Sequence, residues 1–307
     1  MHRLSSKDVL RADQFSVDEI GRILEAAREY ETALDAGEVL DELRGKVLAT
    51  LFFEPSTRTR LSFEAAMLRL GGRVISVAEA KSSSAAKGES LHDTIKTVEG
   101  YADVMVLRHP QIGAAAEAAR ATDVPILNAG DGTGQHPTQS LLDLYTIVKE
   151  QGRVDGLTIA LAGDLKNGRT VHSLADLLAN YDVEFLFASP DALRMPNEIV
   201  ERLRARGVSI RETESLTDAI PACDVLYMTR IQRERFTDSS EYDRLKDAYV
   251  LTRDMLSAAR ESIKIMHPLP RVNEIATDVD GHPGAAYFRQ AANGVPIRMA
   301  LLAMVTR

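Results

Sequence analysis

Short apolar runs alternate along this chain with segments in which apolar residues recur at helical spacing. The run at 46–53 is short enough for a buried strand, and the periodic segment at 61–68 predicts a helix that ends at Gly71-Gly72. A second apolar run follows at 73–77. This order of strand, turn, helix and strand is typical of a parallel sheet.

The same alternation continues to the end of the chain. It predicts further strands at 101–107, 124–128, 157–162, 183–188, 225–228 and 263–266. It predicts helices at 114–121, 138–150, 169–180, 196–206 and 296–305. Near the N-terminus, Ser16 and Glu19 have the spacing of a capping box before another apolar-periodic helix. Gln151-Gly152-Arg153 is a candidate hinge, so the pattern indicates two α/β halves, each a doubly wound parallel sheet. Ligands of such folds bind beyond the carboxyl ends of the strands.

Composition narrows the classes of partner. The 307 residues carry a formal net charge of -8, whereas proteins that bind nucleic acid usually show a basic surplus. The chain has one cysteine, which excludes an internal disulfide and a cysteine-rich zinc site and fits the reducing cytoplasm. No apolar run is long enough to span a bilayer, and residues 1–10 lack the apolar core of a signal peptide. We therefore expect a cytoplasmic protein without nucleic-acid or membrane partners.

The segment from Ser56 to Arg60 is the strongest candidate for a ligand site. It lies between a predicted strand and a predicted helix, where unpaired backbone N–H groups and the helix dipole favour an anion. Its hydroxyls add donors, and Arg58 can fork onto phosphate oxygens. The alternative is an ordinary capped helix with two solvated arginines. Three hydroxyls interleaved with two arginines favour a phosphate site.

Polar residues also follow several other predicted strands. His136 and Gln139 come after a glycine-rich turn and stand at the start of a helix. The segment 163–170 follows a strand but lacks the G-x-G-x-x-G spacing of a dinucleotide loop. Arg169 and Arg230 each follow a strand and could together hold two carboxylates. The remaining candidates are Arg108-His109-Pro110, the polar loop 82–90 and the rigid turn 267–271, for which a plain loop is the alternative. No metal-binding or serine-nucleophile motif is found, so we expect no metal and no cofactor.

Together these motifs resemble the carbamoyltransferase family, and most closely its aspartate branch. The resemblance covers nearly the whole chain, and the motifs that carry it are Phe53-Glu54-Pro55-Ser56-Thr57-Arg58-Thr59-Arg60, Ser83 with Lys87-Gly88-Glu89, Arg108-His109-Pro110-Gln111, 128–132, His136-Pro137-Thr138-Gln139, 163–166, 168–173, Thr229-Arg230-Ile231-Gln232 and His267-Pro268-Leu269-Pro270-Arg271. The resemblance implies a carbamoyl-phosphate domain at 1–150 and an aspartate domain at 151–289. It also implies interdomain helices, one of which, at about 290–307, packs back on the first domain.

The resemblance also implies roles for particular residues. Carbamoyl phosphate would be bound by Ser56, Thr57, Arg58, Thr59, Ser83, Arg108, His136, Gln139 and the backbone carbonyls of Leu269 and Pro270. L-aspartate would be bound by Lys87, Arg169, Arg230 and Gln232. Within these sets Arg58, Thr59, Lys87, Arg108 and His136 would act in catalysis. The Leu269–Pro270 peptide is expected to be cis.

The expected assembly is a homotrimer with shared active sites, in which Ser83 and Lys87 come from the neighbouring chain. Glu54, Lys166, Arg235 and Glu241 match positions that form closure ion pairs in the family, with a solvated loop as the alternative for 232–242. The binding of a zinc-containing regulatory chain is left open. Three other functions also stay open: an ornithine or other amine carbamoyltransferase, a non-catalytic sensor of phosphorylated ligands, and a nicotinamide dehydrogenase.

Overall fold

A computed structural model describes residues 3–78, 88–231 and 249–306. The chain divides into two compact units. The first comprises residues 1–142 and 293–307, and the second comprises residues 143–292. Two helices carry the chain from one unit to the other, namely α5 (Pro137–Gln151) and α9 (Tyr287–Thr306).

The first unit is built on a four-stranded parallel sheet. Its strands are β1 (Val47–Phe52), β2 (Arg73–Val77), β3 (Val104–His109) and β4 (Ile126–Asp131), in the spatial order β2-β1-β3-β4. The central strands β1 and β3 are almost wholly buried because helices cover a parallel sheet on both faces. Leu51, Met105 and Leu107 from these strands pack with Ile95 and Ile126 in one apolar core.

Helices connect these strands. They are α2 (Thr57–Arg69), α3 (Leu91–Val98) and α4 (Ala114–Ala121), while α1 (Val17–Asp35) precedes β1. The last part of α9 belongs to the same unit, where the guanidinium of Arg298 lies 4.9 Å from the centre of the Phe63 ring on α2. Ser16 and Glu19 form the capping box that the sequence predicts at the start of α1.

The second unit contains a five-stranded parallel sheet. Its strands are β5 (Leu157–Ala162), β6 (Val183–Ala188), β7 (Ser209–Thr213), β8 (Val225–Met228) and β9 (Lys264–Met266), in the order β7-β6-β5-β8-β9. The helices between them are α6 (Arg169–Leu178), α7 (Asn197–Ala205) and α8 (Leu216–Ala219). Short 3₁₀ helices lie at Ala12–Gln14, Asp191–Leu193, Ile220–Ala222, Asp254–Ala258 and Thr277–Gly281. The α/β class with two parallel sheets is thus confirmed.

Two local predictions were wrong or incomplete. The hydrophobic pattern predicted a closing helix that begins at Pro296, whereas the resemblance implied one from about 290; α9 begins at Tyr287 and contains Pro296 in its interior. Proline lacks the N–H that would continue the helical hydrogen bonds, so Pro296 suggests that a helix starts there. In the structure, packing maintains a continuous helix through this residue. Strand β7 was not predicted, because only Ile210 in it is a large apolar residue and the strand lies at the sheet edge.

The described residues contain no helix that is both long and apolar enough to span a membrane. Over the same residues, no group of three or more His, Cys, Asp or Glu side chains has a geometry that could hold a metal ion. Cys223 is a buried free thiol, and burial raises its pKa to about 12.

Candidate active site

The carboxyl end of β1 leads directly into α2, and the phosphate segment lies at this junction. Ser56 precedes the helix, and the first helical hydrogen bond runs from the Arg60 N–H to the Ser56 carbonyl over 3.2 Å. The N–H groups of Thr57, Arg58 and Thr59 therefore belong to the first turn, which has no intrahelical acceptors. Thr57 and Arg58 are exposed, whereas Thr59 is buried. The segment presents a set of donors at a helix N-terminus, which suits an anion.

Ser56 does not cap the helix that it precedes. Its side chain makes no capping hydrogen bond within the described part of the chain. Partial burial lowers the pKa of Arg58 although the residue is exposed overall, and arginine stays charged at any physiological pH. The ordinary capped helix that was the alternative interpretation of this segment is therefore not what the structure contains.

Arg108 is the penultimate residue of β3, beside this segment, and is held on two sides. One guanidinium nitrogen (Nη1) donates to the Ala129 carbonyl of β4 over 3.1 Å, and the other (Nη2) contacts Glu54 Oε1 at 2.5 Å. A backbone hydrogen bond also joins the ends of β1 and β3, since the Phe53 N–H donates to the Arg108 carbonyl over 2.8 Å. Arg108 is only 8% exposed, so its orientation is fixed by these contacts.

The glycine-rich turn after β4 is shaped by Asp131. Its Oδ1 accepts the Gln135 N–H over 2.7 Å, and its Oδ2 accepts the Gly113 N–H over 2.9 Å. Gly132 has a φ of 57°, and a Cβ at this position would lie 2.6 Å from the Pro110 carbonyl oxygen. The turn therefore packs tightly against the loop after β3 and requires glycine there.

His136 and Gln139 lie at the start of α5, immediately after this turn. Both side chains are buried, and the His136 carbonyl accepts the N–H groups of Gln139 and Ser140. The sheet order places β1, β3 and β4 side by side, so the residues that follow these strands share one edge of the sheet. The first unit thus brings Ser56, Thr57, Arg58, Thr59, Arg108, His136 and Gln139 to the same edge.

In the second unit, Arg169 begins α6 and Arg230 follows β8. Both are half-buried. The loop before Arg169 is fixed by Asp164, whose carboxylate accepts the backbone and side-chain N–H groups of Asn167 at 2.9–3.1 Å. Burial raises the pKa of Asp164, while the hydrogen bonds from Asn167 oppose that rise.

The loops that carry these two arginines lie next to each other. Strands β5 and β8 pair in parallel, and a Cβ on Gly163 would lie 2.5 Å from the Thr229 carbonyl oxygen. His172 on α6 hydrogen-bonds through Nε2 to the Leu165 carbonyl over 2.7 Å, which further holds this loop. Burial lowers the pKa of His172, so the ring is neutral near pH 7. Two cationic side chains thus follow adjacent strands.

The turn after β9 contains the cis Leu269–Pro270 peptide, which confirms that prediction. Leu269 has a φ of 55°, in the left-handed region that non-glycine residues seldom adopt. Its N–H donates to Nδ1 of His267 over 2.8 Å. Leu269 is half-buried and Pro270 is exposed.

Some of the predicted site residues cannot be placed. Ser83, Lys87, Gln232, Arg235 and Glu241 lie outside the described residues. Lys166 is exposed, and Glu54 pairs with Arg108. One feature of the site escaped sequence interpretation. Glu274, Gln290 and Asp143 belong to a buried polar network around His267, behind the 267–270 turn. The only sequence signal for each of them is a polar residue among apolar neighbours.

Comparisons with known proteins agree along the whole chain. Residues 7–149 match the family model for the carbamoyl-P binding domain of aspartate/ornithine carbamoyltransferase, and residues 155–305 match that for its Asp/Orn binding domain. The aspartate carbamoyltransferase catalytic subunit of Thermococcus kodakarensis is 58% identical over 97% of this chain and 96% of its own length.

Solved structures give the same result. The catalytic subunit of M. jannaschii aspartate transcarbamoylase is 53% identical, with a TM-score of 0.92 over 98% of each chain. Aspartate transcarbamoylase from Trypanosoma cruzi, in complex with carbamoyl aspartate and phosphate, is 46% identical. It has a TM-score of 0.92 over 97% of this chain and 95% of its own.

Proposed function

The chain belongs to the aspartate/ornithine carbamoyltransferase family, and on that premise we propose that it transfers the carbamoyl group of carbamoyl phosphate to the amine of L-aspartate. The products are N-carbamoyl-L-aspartate and phosphate, a step of de novo pyrimidine synthesis. The observation that carries this proposal is the donor set at the start of α2 beside the fixed guanidinium of Arg108. The aspartate transcarbamoylases among its relatives support the choice of acceptor.

The first unit carries the groups that the carbamoyl donor needs. Ser56, Thr57, Arg58 and Thr59, with Arg108, bind the phosphate. Thr59, Arg108 and His136 donate to the carbonyl oxygen, where negative charge develops when the amine attacks. Gln139 accepts from the carbamoyl NH₂ group. The fixed geometry of Arg108 supports this role because a donor that is oriented in advance stabilises the oxyanion without reorganisation.

Residues of the second unit complete the proposed mechanism. Arg169 and Arg230, together with Gln232, bind the two carboxylates of aspartate. The backbone carbonyls of Leu269 and Pro270 accept the remaining hydrogens of the carbamoyl NH₂. The attacking amine loses its proton to the departing phosphate, since phosphate is basic and leaves from the same centre.

The acceptor amine is the part of the proposal that a rival reaction would change. Ornithine has a cationic side chain, which Arg169 and Arg230 would repel. We expect incubation with carbamoyl phosphate and L-aspartate to yield carbamoyl-aspartate, and incubation with L-ornithine to yield no citrulline. Citrulline would establish the ornithine branch instead. No product in either case would favour the sensor of phosphorylated ligands.

We also propose that the two units are the two substrate domains. The unit of residues 1–142 and 293–307 carries the carbamoyl-phosphate residues other than Leu269 and Pro270, and the unit of residues 143–292 carries the aspartate residues other than Lys87. The family models divide the chain in the same order, at 7–149 and 155–305.

The assembly that we propose is a homotrimer in which Ser83 and Lys87 of one chain complete the site of its neighbour. Exposed apolar side chains on the first unit support contact between copies. Leu61 and Leu68 on α2 are 51% and 60% exposed, and Ile75 on the edge strand β2 is 41% exposed. The segment that contains Ser83 and Lys87 follows this edge strand in the sequence.

Hybrid trimers test this arrangement. Chains carrying Arg58→Ala are mixed with chains carrying Lys87→Ala, after partial dissociation and reassembly, and each variant alone is the control. We expect each variant alone to be inactive and the mixture to recover activity, because some sites combine an intact Arg58 with an intact Lys87. No recovery in mixed trimers would show that each chain carries a complete site of its own.

We propose that the protein works in the cytoplasm, which agrees with its single buried cysteine. Fractionation of the source cells, with detection of the activity, tests this location.

A native mass equal to a multiple of the mass of the catalytic chain alone would show that no regulatory chain is attached. A larger mass together with bound zinc would show that one is.

A further inference from the structure

A continuous set of buried hydrogen bonds lies behind the turn at 267–270. It joins the side chain of Glu274, both ring nitrogens of His267 and the backbone N–H of Leu269. His267 and Glu274 are 1% and 2% exposed, so water does not screen their interaction. These contacts all lie within the second unit.

The hydrogen bonds fix the tautomer of His267. The Leu269 N–H donates to Nδ1 over 2.8 Å, so Nδ1 is an acceptor and carries no proton. The proton of the neutral ring is therefore on Nε2, which donates to Glu274 Oε1 over 2.7 Å. The imidazole thus transmits the position of the Glu274 carboxylate to the backbone of Leu269.

The second oxygen of Glu274 holds the far side of the turn. Oε2 accepts the N–H groups of Val272 and Asn273 at 3.0 and 3.1 Å. Burial raises the pKa of Glu274, but the hydrogen bonds from His267 and from the backbone N–H groups outweigh that effect and lower it. Glu274 is therefore a carboxylate at neutral pH. Each of its three hydrogen bonds described here comes from an N–H donor.

The near side of the turn is held by Gln290. Its Oε1 accepts the His267 N–H over 2.8 Å, and its Nε2 donates to Asp143 Oδ1 over 2.6 Å. Asp143 Oδ2 accepts the Tyr227 hydroxyl over 2.8 Å. Burial, and next to it the charge of Asp143, raise the pKa of Tyr227 well above its usual value, so the phenol remains a donor. The turn is clamped from both ends.

We propose that Glu274 is a positioning residue for carbamoyl transfer, which acts through His267 to aim the Leu269 and Pro270 carbonyls at the carbamoyl NH₂ group. The inference rests on the proposed function, because those carbonyls matter only if a carbamoyl group binds there. Glu274 itself touches neither substrate in this scheme. Its effect is on the direction of two acceptors, to which transfer is sensitive at the level of about 1 Å.

Glu274→Gln is a sharp test because an amide of the same shape cannot satisfy every partner. If its oxygen accepts from His267, its NH₂ faces the N–H groups of Val272 and Asn273. If its NH₂ faces His267 instead, the ring must carry its proton on Nδ1, which then opposes the Leu269 N–H. Either arrangement places two donors against each other and displaces the turn.

The measurement compares two ligands of the same site. We expect Glu274→Gln to lower kcat/KM for carbamoyl phosphate about 100-fold, as a misplaced reacting group does. We expect the affinity for inorganic phosphate, measured by calorimetry, to stay unchanged, because phosphate has no NH₂ group for the turn to contact. A general loss of structure would weaken both ligands together.

Asp224→Asn is the matched control. Asp224 is also a carboxylate of the second unit that accepts a backbone N–H, from Thr158 over 2.9 Å, and pairs with Arg260. It precedes β8, at the opposite edge of the sheet from the turn. We expect this variant to lower the thermal midpoint of unfolding. It should change neither kcat/KM for carbamoyl phosphate nor the affinity for inorganic phosphate.

A second substitution tests whether Glu274 acts through His267. In His267→Asn, the side-chain oxygen can still accept the Leu269 N–H, as asparagine commonly does two residues ahead, but the donor to Glu274 is lost. Glu274→Gln should then cost little further activity in this background, so the two effects are not additive. Full additivity would contradict an action through the ring.

The possible outcomes separate the inference from the proposed function. No turnover by the unaltered chain overturns the proposed function, and this inference with it. Normal kinetics in Glu274→Gln, or equal loss for both ligands, overturns this inference alone. If Glu274→Gln does not fold, Glu274→Asp carries the same measurement, because the shorter carboxylate keeps the charge but cannot reach both sides. Failure of both variants to fold would show that Glu274 is needed for folding rather than for positioning.

Discussion

The helices α1 and α2 of the first unit both begin after a serine, but the two serines do different things. Ser16 accepts the Glu19 N–H over 3.2 Å, and Glu19 in turn accepts the Ser16 N–H over 3.1 Å. Ser56 makes no such bond within the described residues, and its helix has no acidic side chain in the first turn. At α1 the N–H groups of Ser16 and Glu19 are satisfied by the side chains of the same two residues, whereas the described residues form no such capping bond at α2.

This difference separates a structural helix start from the proposed binding one in the same unit. A capping box uses a carboxylate of the chain to neutralise the helix end. At α2 the chain supplies hydroxyls and arginines instead, so an anion bound there would complete the set of interactions that Glu19 completes at α1. The comparison predicts that changes at α2 reduce ligand binding and changes at α1 reduce stability.

The largest effect is expected from Arg58→Ala at the α2 site. Removing a donor that stabilises developing charge typically lowers turnover about 100- to 1000-fold. Because Arg58 is exposed, the free energy of unfolding should change little. Steady-state kinetics with carbamoyl phosphate and L-aspartate, alongside a denaturant melt, measures both. Near-normal turnover would remove Arg58 from the phosphate site.

At α1, Glu19→Gln should lower the free energy of unfolding by about 2 kcal/mol at pH 7. Burial raises the pKa of Glu19, but hydrogen bonds from Ser5 and Ser16 outweigh burial and lower it to about 2. A carboxyl group with a lowered folded-state pKa stabilises the protein above its unfolded value, here 4.5. That contribution is lost as the pH falls from 4.5 towards 2.

The difference between the unaltered chain and Glu19→Gln should therefore shrink over this pH window. Denaturant melts of both proteins at several values of pH measure it. Asp18→Asn is the control, because Asp18 is an exposed neighbour in the same first turn. A gap between the two proteins that is the same at pH 7 and at pH 3 would show that the Glu19 charge is not what caps α1.

The sequence predicted the α1 cap and most of the sheets because these depend on local pattern. Strands β5 and β6 were predicted with the bounds that the structure has, since both are nearly continuous apolar runs buried on both faces. Strand β7 was missed because an exposed edge strand needs few apolar residues. The start of α9 was missed because Pro296 locally favours a helix start.

The edge of the sheet that carries the candidate site could also be predicted, because parallel strands direct their carboxyl ends to one edge. The partners within the site could not. Arg108 contacts Glu54 and Ala129, which lie 54 and 21 positions from it along the chain, so no local pattern indicates these contacts. Glu274 was missed for a related reason. Its role depends on the path of a turn around His267, and no local pattern encodes that path.

A smaller effect is expected from Ser56→Ala. The hydroxyl is one donor among several, and a hydrogen bond to a charged group contributes enough for about a tenfold change in affinity. We expect the dissociation constant of phosphate to rise by about that factor, with no loss of stability, since Ser56 does not cap its helix. A fall in the unfolding free energy without a change in affinity would mean that Ser56 is an ordinary cap in solution.

The smallest effects are expected from the serines that do cap helices. Ser16→Ala should cost about 1 kcal/mol of unfolding free energy, because the Glu19 N–H then loses its acceptor. Ser90→Ala should cost about 0.5 kcal/mol, since the Ser90 cap of α3 also accepts one N–H but is exposed to solvent. Neither change should alter phosphate affinity. If Ser16→Ala weakened phosphate binding as much as Ser56→Ala does, the two helix starts would not have separate roles, and the ligand site could not be assigned to α2.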